Sequence, residues 1–194
     1  MRSGRLAAWL GLAGVLLGSR VEAQSLTPGP PGPFVIDVRG VTSGIPASPG
    51  LYPDVADTGD EFVVPARGFG FDVGGHVYLF NLGPARLGIG VNFIEVRGTA
   101  TDASATFQTV VPQLSFNFGT SDGWSYLSVG AGTARVNAVA SGSSSTINAG
   151  GGARWFMSQH LALGFDIRVH MIAADGDTMG KSTQVSASVG LSLK

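Results

Sequence analysis

The chain has no cysteine. That excludes a disulfide framework and a lipid anchor carried on cysteine. Charge is also scarce: Asp, Glu, Lys and Arg make up 13% of the 194 residues, about half of the roughly 25% usual in a soluble domain. Neither sign is in large excess, since 12 basic residues face 13 acidic ones. A nucleic-acid partner, which wants a basic face, is therefore not expected. Beyond the first residues there is no long apolar run, which excludes a membrane-spanning helix. The three histidines are scattered at His76, His160 and His170, and Asp54, Asp57, Asp60 and Glu61 do not follow the spacing of a calcium loop. Gly150-Gly151-Gly152 lacks the strand–loop–helix setting and the lysine of a phosphate cradle. No metal and no cofactor is expected.

What is present begins with a secretory pattern. Arg2 and Arg5 precede an apolar stretch from Leu6 to Leu17, and Val21-Glu22-Ala23 supplies small residues for cleavage. Residues 1–23 therefore read as a signal peptide, and a retained anchor is the alternative. Removing Arg2, Arg5, Arg20 and Glu22 leaves 9 basic and 12 acidic residues, a net charge of about −3. Residues 24–33 form a Pro/Gly leader (SLTPGPPGP from Ser25), and residues 34–194 read as one domain.

The stretch Leu161 to Ile172 carries the plainest signal. Leu161, Leu163, Phe165, Ile167, Val169 and Met171 alternate with Ala162, Gly164, Asp166, Arg168 and His170. This is a strand with one oily face and one face bearing both charge signs. Seven further strands are expected, near Phe34–Val41, Arg67–Phe80, Ala85–Arg97, Thr106–Phe118, Trp124–Asn137, Thr146–Phe156 and Thr183–Leu193. Most have about the 9–11 residues that a tilted strand needs to cross a bilayer. Short turns centred at Gly83, Ser121 and Ser158 recur 38 and 37 residues apart. Between them lie longer connections at Thr42–Ala66, Gly98–Ala105, Ala138–Ser145 and Ala173–Ser182. Short turns on one side and longer loops on the other is the topology of an outer-membrane barrel. An even strand number leaves both chain ends on the short-turn side.

The facing pattern points the same way. Strands two, three and eight alternate large apolar residues with small or polar ones, and a sandwich core would need the large set inside. Val73, Ile89, Leu163, Phe165, Ile167 and Val189 are expected to meet lipid. Asp37, Arg39, Asp72, His76, Arg86, Arg154, Asp166, Arg168 and His170 are expected to point inward. An eight-stranded barrel has an interior only just wide enough for side chains to fill. Those charges should therefore pair in a structural lumen network. Phe80, Phe118, Trp124, Tyr126, Trp155 and Phe156 lie beside the short turns and are expected to form an aromatic girdle at the membrane boundary. Aromatics near strand ends in a protein core are the alternative. Glu95 sits on the oily parity of its strand and Pro112 lies inside another, so a bulge near either would swap the faces of Phe107, Thr109 and Val111.

On these strands, turns and faces the chain resembles the small eight-stranded outer-membrane barrel superfamily, which includes opacity-type surface antigens and the transmembrane domain of the OmpA kind. The resemblance spans Phe34 to Lys194 and rests on architecture. It implies an all-β, eight-stranded antiparallel up-and-down transmembrane barrel in the bacterial outer membrane. Its partners would be outer-membrane lipid, lipopolysaccharide and the assembly machinery, and a monomer is the expected state. Such barrels often end in Phe or Trp, whereas this chain ends Gly190-Leu191-Ser192-Leu193-Lys194. No peptidoglycan-binding domain is expected after the last strand. Barrels resembling lipid A deacylases carry a His-x-Ser pair, and none of the three histidines here is followed by one. No catalytic residue is expected. The function read from the sequence is a non-enzymatic outer-membrane barrel for envelope structure or surface contact, with at most a narrow pore. The alternatives are an exported soluble barrel holding a small apolar ligand, and a lipid-modifying membrane enzyme.

Overall fold

A computed structural model describes residues 32–46, 64–100, 103–120, 122–138, 141–175 and 179–194. The expected signal peptide, most of the leader and the acidic group at Asp54, Asp57, Asp60 and Glu61 lie outside the described residues. Eight strands follow one another: β1 Phe34–Gly44, β2 Arg67–Leu82, β3 Ala85–Ala100, β4 Ala103–Thr120, β5 Gly123–Asn137, β6 Ser141–Phe156, β7 Leu161–Ile172 and β8 Ser182–Leu193. Each pairs antiparallel with the next, and β1 closes on β8 into a barrel. Closure leaves no open edge.

The alternation in the sequence produces this directly. With a side-chain period of two, every other residue of each strand enters the lumen. The turns are sharp where glycine allows it. Leu82 pairs with Ala85, so Gly83-Pro84 is a two-residue turn, and Gly83 takes a positive φ of 62°. One extra residue sits in β2: Tyr78 pairs with Gly88 and Phe80 with Leu87, leaving Leu79 between them as a bulge. Leu79 and Phe80 consequently both face outward.

Pro112 causes no such shift. It points outward opposite Val91, and the register with β5 is the same on either side of it, Val110 with Thr133 and Gln113 with Gly130. The pairing with β5 lapses only where proline has no N–H to give. Phe107, Thr109 and Val111 all face the lumen.

The long-loop pattern holds at two of its four places. Residues 98–100 and 103–105 belong to β3 and β4, and residues 141–145 belong to β6. The connections expected at Gly98–Ala105 and Ala138–Ser145 are therefore mostly strand. Serine, threonine and alanine suit a strand edge in water as well as they suit a loop, and composition alone did not separate the two. The wall of β3 to β6 is taller at this end than the wall of β7, β8 and β1.

Candidate functional site

The lumen is built in three tiers. At the turn end Val35, Tyr78 and Trp124 are buried, with Phe156 packed against them. Tyr78 and Trp124 meet edge to face at 5.5 Å, and Trp124 and Phe156 at 5.0 Å. Lys194 lies over this floor, its Nζ 3.7 Å from the centre of the Phe156 ring. Its backbone N–H donates to the His160 carbonyl. Partial burial lowers the Lys194 ammonium below the usual lysine value, against the opposing pull of Asp122.

Above the floor stands the charged tier. Arg154 on β6 grips Asp37 on β1 with two parallel hydrogen bonds, Nε to Oδ1 at 2.9 Å and NH2 to Oδ2 at 2.6 Å. This bidentate geometry is the strong form of the pair. Asp37 also meets Arg39 at 2.7 Å and accepts from the Ser192 hydroxyl. Arg39 reaches Asp72 at 3.3 Å, and Asp72 accepts from Asn92 and, at 2.8 Å, from Ser188. On the other side the Arg154 guanidinium lies 4.0 Å over the Tyr126 ring, whose hydroxyl donates to Asp166 at 2.7 Å. Asp166 pairs with Arg168 at 2.8 Å, and Arg168 donates to Ser128. Three carboxylates and three guanidiniums thus form one connected, charge-balanced chain. Unpaired ions in this position would be costly, and each of the three carboxylates meets at least one guanidinium.

The third tier fills the loop end with Val41, Ile45, Val64, Ile94, Val96, Ala105, Phe107, Ala134, Val136, Ile172 and Met179. This tier corrects the expectation that inward residues would be small or polar throughout. Ile94 and Val96 share the parity of Asn92, so Glu95 and Arg97 are simply outward and no bulge is needed.

Of the nine residues expected inside, the structure joins six in the charged chain: Asp37, Arg39, Asp72, Arg154, Asp166 and Arg168. His76 and His170 are buried, yet they bond neutral partners, Gln113 at 3.3 Å and Ser186 at 3.1 Å. Arg86 is half-buried at the turn-end rim, where it donates to the Gly32 carbonyl. For the two histidines the ion-pair expectation is corrected to hydrogen bonding with neutral partners. The sequence reading missed Tyr126 as the link between the two halves of the chain.

The girdle expectation is also corrected. Phe80, Phe118 and Trp155 are exposed on the outer wall, but Trp124 and Tyr126 are 1% and 2% exposed in the lumen, and Phe156 packs against Trp124. All three share the strand parity of lumen residues. Val73, Ile89, Leu163, Phe165, Ile167 and Val189 stand on the outer wall at 37–59% exposure. Among the described residues no group of three or more His, Asp or Glu could hold a metal.

No protein-family model and no curated protein matches the sequence. Solved structures do match the fold. Neisserial surface protein A superposes with a TM-score of 0.57 at 12% identity, covering 84% of this chain and 97% of that one. Ail, the attachment invasion locus protein of Yersinia pestis, superposes with a TM-score of 0.53 at 12% identity, covering 82% and 96%. The fold is that of the small eight-stranded outer-membrane β-barrels.

Proposed function

We propose that this protein is a non-enzymatic integral barrel of the bacterial outer membrane, serving envelope structure or surface contact, with its lumen closed to general diffusion. The observation that carries the reading is the inverted hydrophobicity. Ile36, Ile89, Leu127, Ile147 and Ile167 are each about half exposed on the outer wall, while Asp37, Arg154 and Arg168 are nearly sealed inside. Water would not tolerate such an outer belt and lipid would. In this reading the short turns and both chain ends face the periplasm and the loops face outward. The filled lumen, with a charged tier beneath an apolar one, supports closure.

A soluble ligand-binding barrel would want its apolar wall inside, and here the middle of the lumen is charged. An enzyme has one geometric argument, the His170–Ser186 contact at 3.1 Å. Against it, both residues are buried, and among the described residues His170 Nδ1 meets no hydrogen-bonding partner and no carboxylate orients the ring. The contact fills the lumen. Cell fractionation with heat-modifiable migration tests the proposal. The expected result is an outer-membrane fraction containing a folded band that shifts on boiling. A protein that stays soluble and monomeric without detergent would overturn it.

A further inference from the structure

Pro112 is an anomaly that closure of the barrel does not explain. Within a sheet, proline is confined to an edge strand, a strand's first residue or a bulge. β4 is interior to a closed ladder, and no extra residue shifts its register with β3 or β5. On the β3 side Val91 still pairs with Pro112, whereas on the β5 side the pairing skips both Val111 and Pro112. Opposite residues of an antiparallel ladder alternate between exchanging two hydrogen bonds and exchanging none. Loss of two successive places on one side alone puts the missing N–H on the β5 side. The register sets Ala131 opposite Pro112, so the acceptor left without its ladder donor is the Ala131 carbonyl.

Pro112 and Ala131 also stand in a groove of the outer wall. Both are short and face outward, and the taller Ile89, Leu114, Val129 and Ile147 rise around them. The groove measures about 610 Å³, within the roughly 300–1,000 Å³ of small-molecule sites. Gly90, Gln113 and Gly130 complete its lining, and no lining residue carries a charge. The Gln113 side chain is turned into the lumen, where it bonds His76 and Asn148. What Gln113 and the two glycines give the groove is therefore backbone. The groove reaches down to the sheet itself, beside the Ala131 carbonyl. Along β4, Pro112 is six residues from the outward Phe118 near the turn end. On a strand tilted by about 40° that is a climb of about 15 Å. It falls near the middle of an apolar band about 25 Å tall, where no water supplies the missing donor.

We infer that this groove binds an apolar molecule carrying a single hydroxyl group, which donates to the Ala131 carbonyl. The inference rests on the membrane reading above, which sets the groove in hydrocarbon. The lone acceptor selects the class of ligand. A plain acyl chain fills the volume and leaves the carbonyl unmet. An ether or a ketone brings only acceptors. A charged group finds no counter-ion in the lining, and a second polar group would be stranded in hydrocarbon. One donor on a hydrocarbon body meets every demand of the site.

The test titrates folded protein in phosphatidylcholine nanodiscs with two probes. One is the secondary dodecanol whose hydroxyl is at mid-chain; the other is its methyl ether, which keeps the shape and loses the donor. The readout is the carbon NMR resonance of a labelled Ala131 carbonyl. The alcohol should move it downfield and saturate. The ether should bind about two- to tenfold more weakly, the worth of one neutral hydrogen bond. Pro112→Ala supplies the N–H from within the ladder and should abolish the preference for alcohol over ether. Ala131→Leu fills the groove and should weaken both probes. Equal affinities for the two probes in the wild type overturn the inference and leave the chains of the surrounding lipid as the occupants. So does a dimer that neither probe enters, which would make a second copy of the chain the occupant. Failure of the wild type to insert into phosphatidylcholine at all would instead overturn the membrane reading itself.

Discussion

The two halves of the lumen solve the same problem in opposite ways. Toward the turns, Asp37, Arg39, Asp72, Arg154, Asp166 and Arg168 fill the space with matched charges on four strands. Toward the loops, Ile94, Val96, Phe107, Val136, Ile172 and Met179 fill it with hydrocarbon. The charged half gains directional specificity, because each carboxylate accepts from named donors at fixed positions. The apolar half gains free energy from burial alone and tolerates substitution by shape. A barrel this narrow can be plugged either way, and above its aromatic floor this one is plugged twice in series.

The largest expected effect breaks the charged half. Arg154→Ala leaves Asp37 buried with one of its two arginines gone and should cost about 3–5 kcal/mol, read by urea unfolding in micelles. A cost below about 1 kcal/mol would mean that water already enters this tier. On the outer wall, Ile167→Arg should cost about 2–4 kcal/mol if that position lies near the bilayer midplane. In the apolar half, Ile172→Val should cost only about 0.5–1.5 kcal/mol, because neighbouring hydrocarbon partly closes the gap.

Conductance sharpens the comparison further. Arg168→Ala opens space only below the apolar tier, so planar-bilayer recordings of that variant should remain quiet. Adding Phe107→Ala removes the bulkiest member of the second plug, and small openings should then appear. Openings in the single variant would show that the charged tier alone seals the barrel. The smallest effect concerns topology. Limited proteolysis of intact cells should spare the turns around Gly83 and Ser158 and cut within residues 42–66.

The fold was legible because a period of two survives in nearly every strand. The strand from Leu161 to Ile172 has the same ends in the structure as in the sequence. The charged residues were legible for the same reason: Asp37 and Arg39, like Asp166 and Arg168, lie two apart and must share a face. Partners across the lumen were not legible, since the pairing of Asp37 with Arg154 spans 117 residues and depends on barrel closure. The aromatic error was avoidable. Trp124 and Tyr126 stand on the parity opposite Leu127 and Val129, yet their nearness to a turn outweighed their parity. Phe80 faces outward only because Leu79 is bulged, and no residue type there announces an extra position. The apolar upper tier went unseen because Ile94 and Val96 are large residues on a parity whose lower members are Gly88, Gly90 and Asn92.

The pairing of β1 with β8 has a consequence for the order of assembly. That ladder runs from Ile36 opposite Leu193 to Ser43 opposite Ser186, joining the first strand to the last. It cannot form until all the intervening chain is in place, and its loop-closure entropy is the highest in the molecule. The charged chain straddles this seam: Ser192 and Ser188 of β8 reach Asp37 of β1 and Asp72 of β2. Before closure these two aspartates face a half-open sheet and keep their water. After closure they lose it and gain fixed donors together. The seam is therefore latched from inside, and reopening it would expose two strand edges and strand two carboxylates at once.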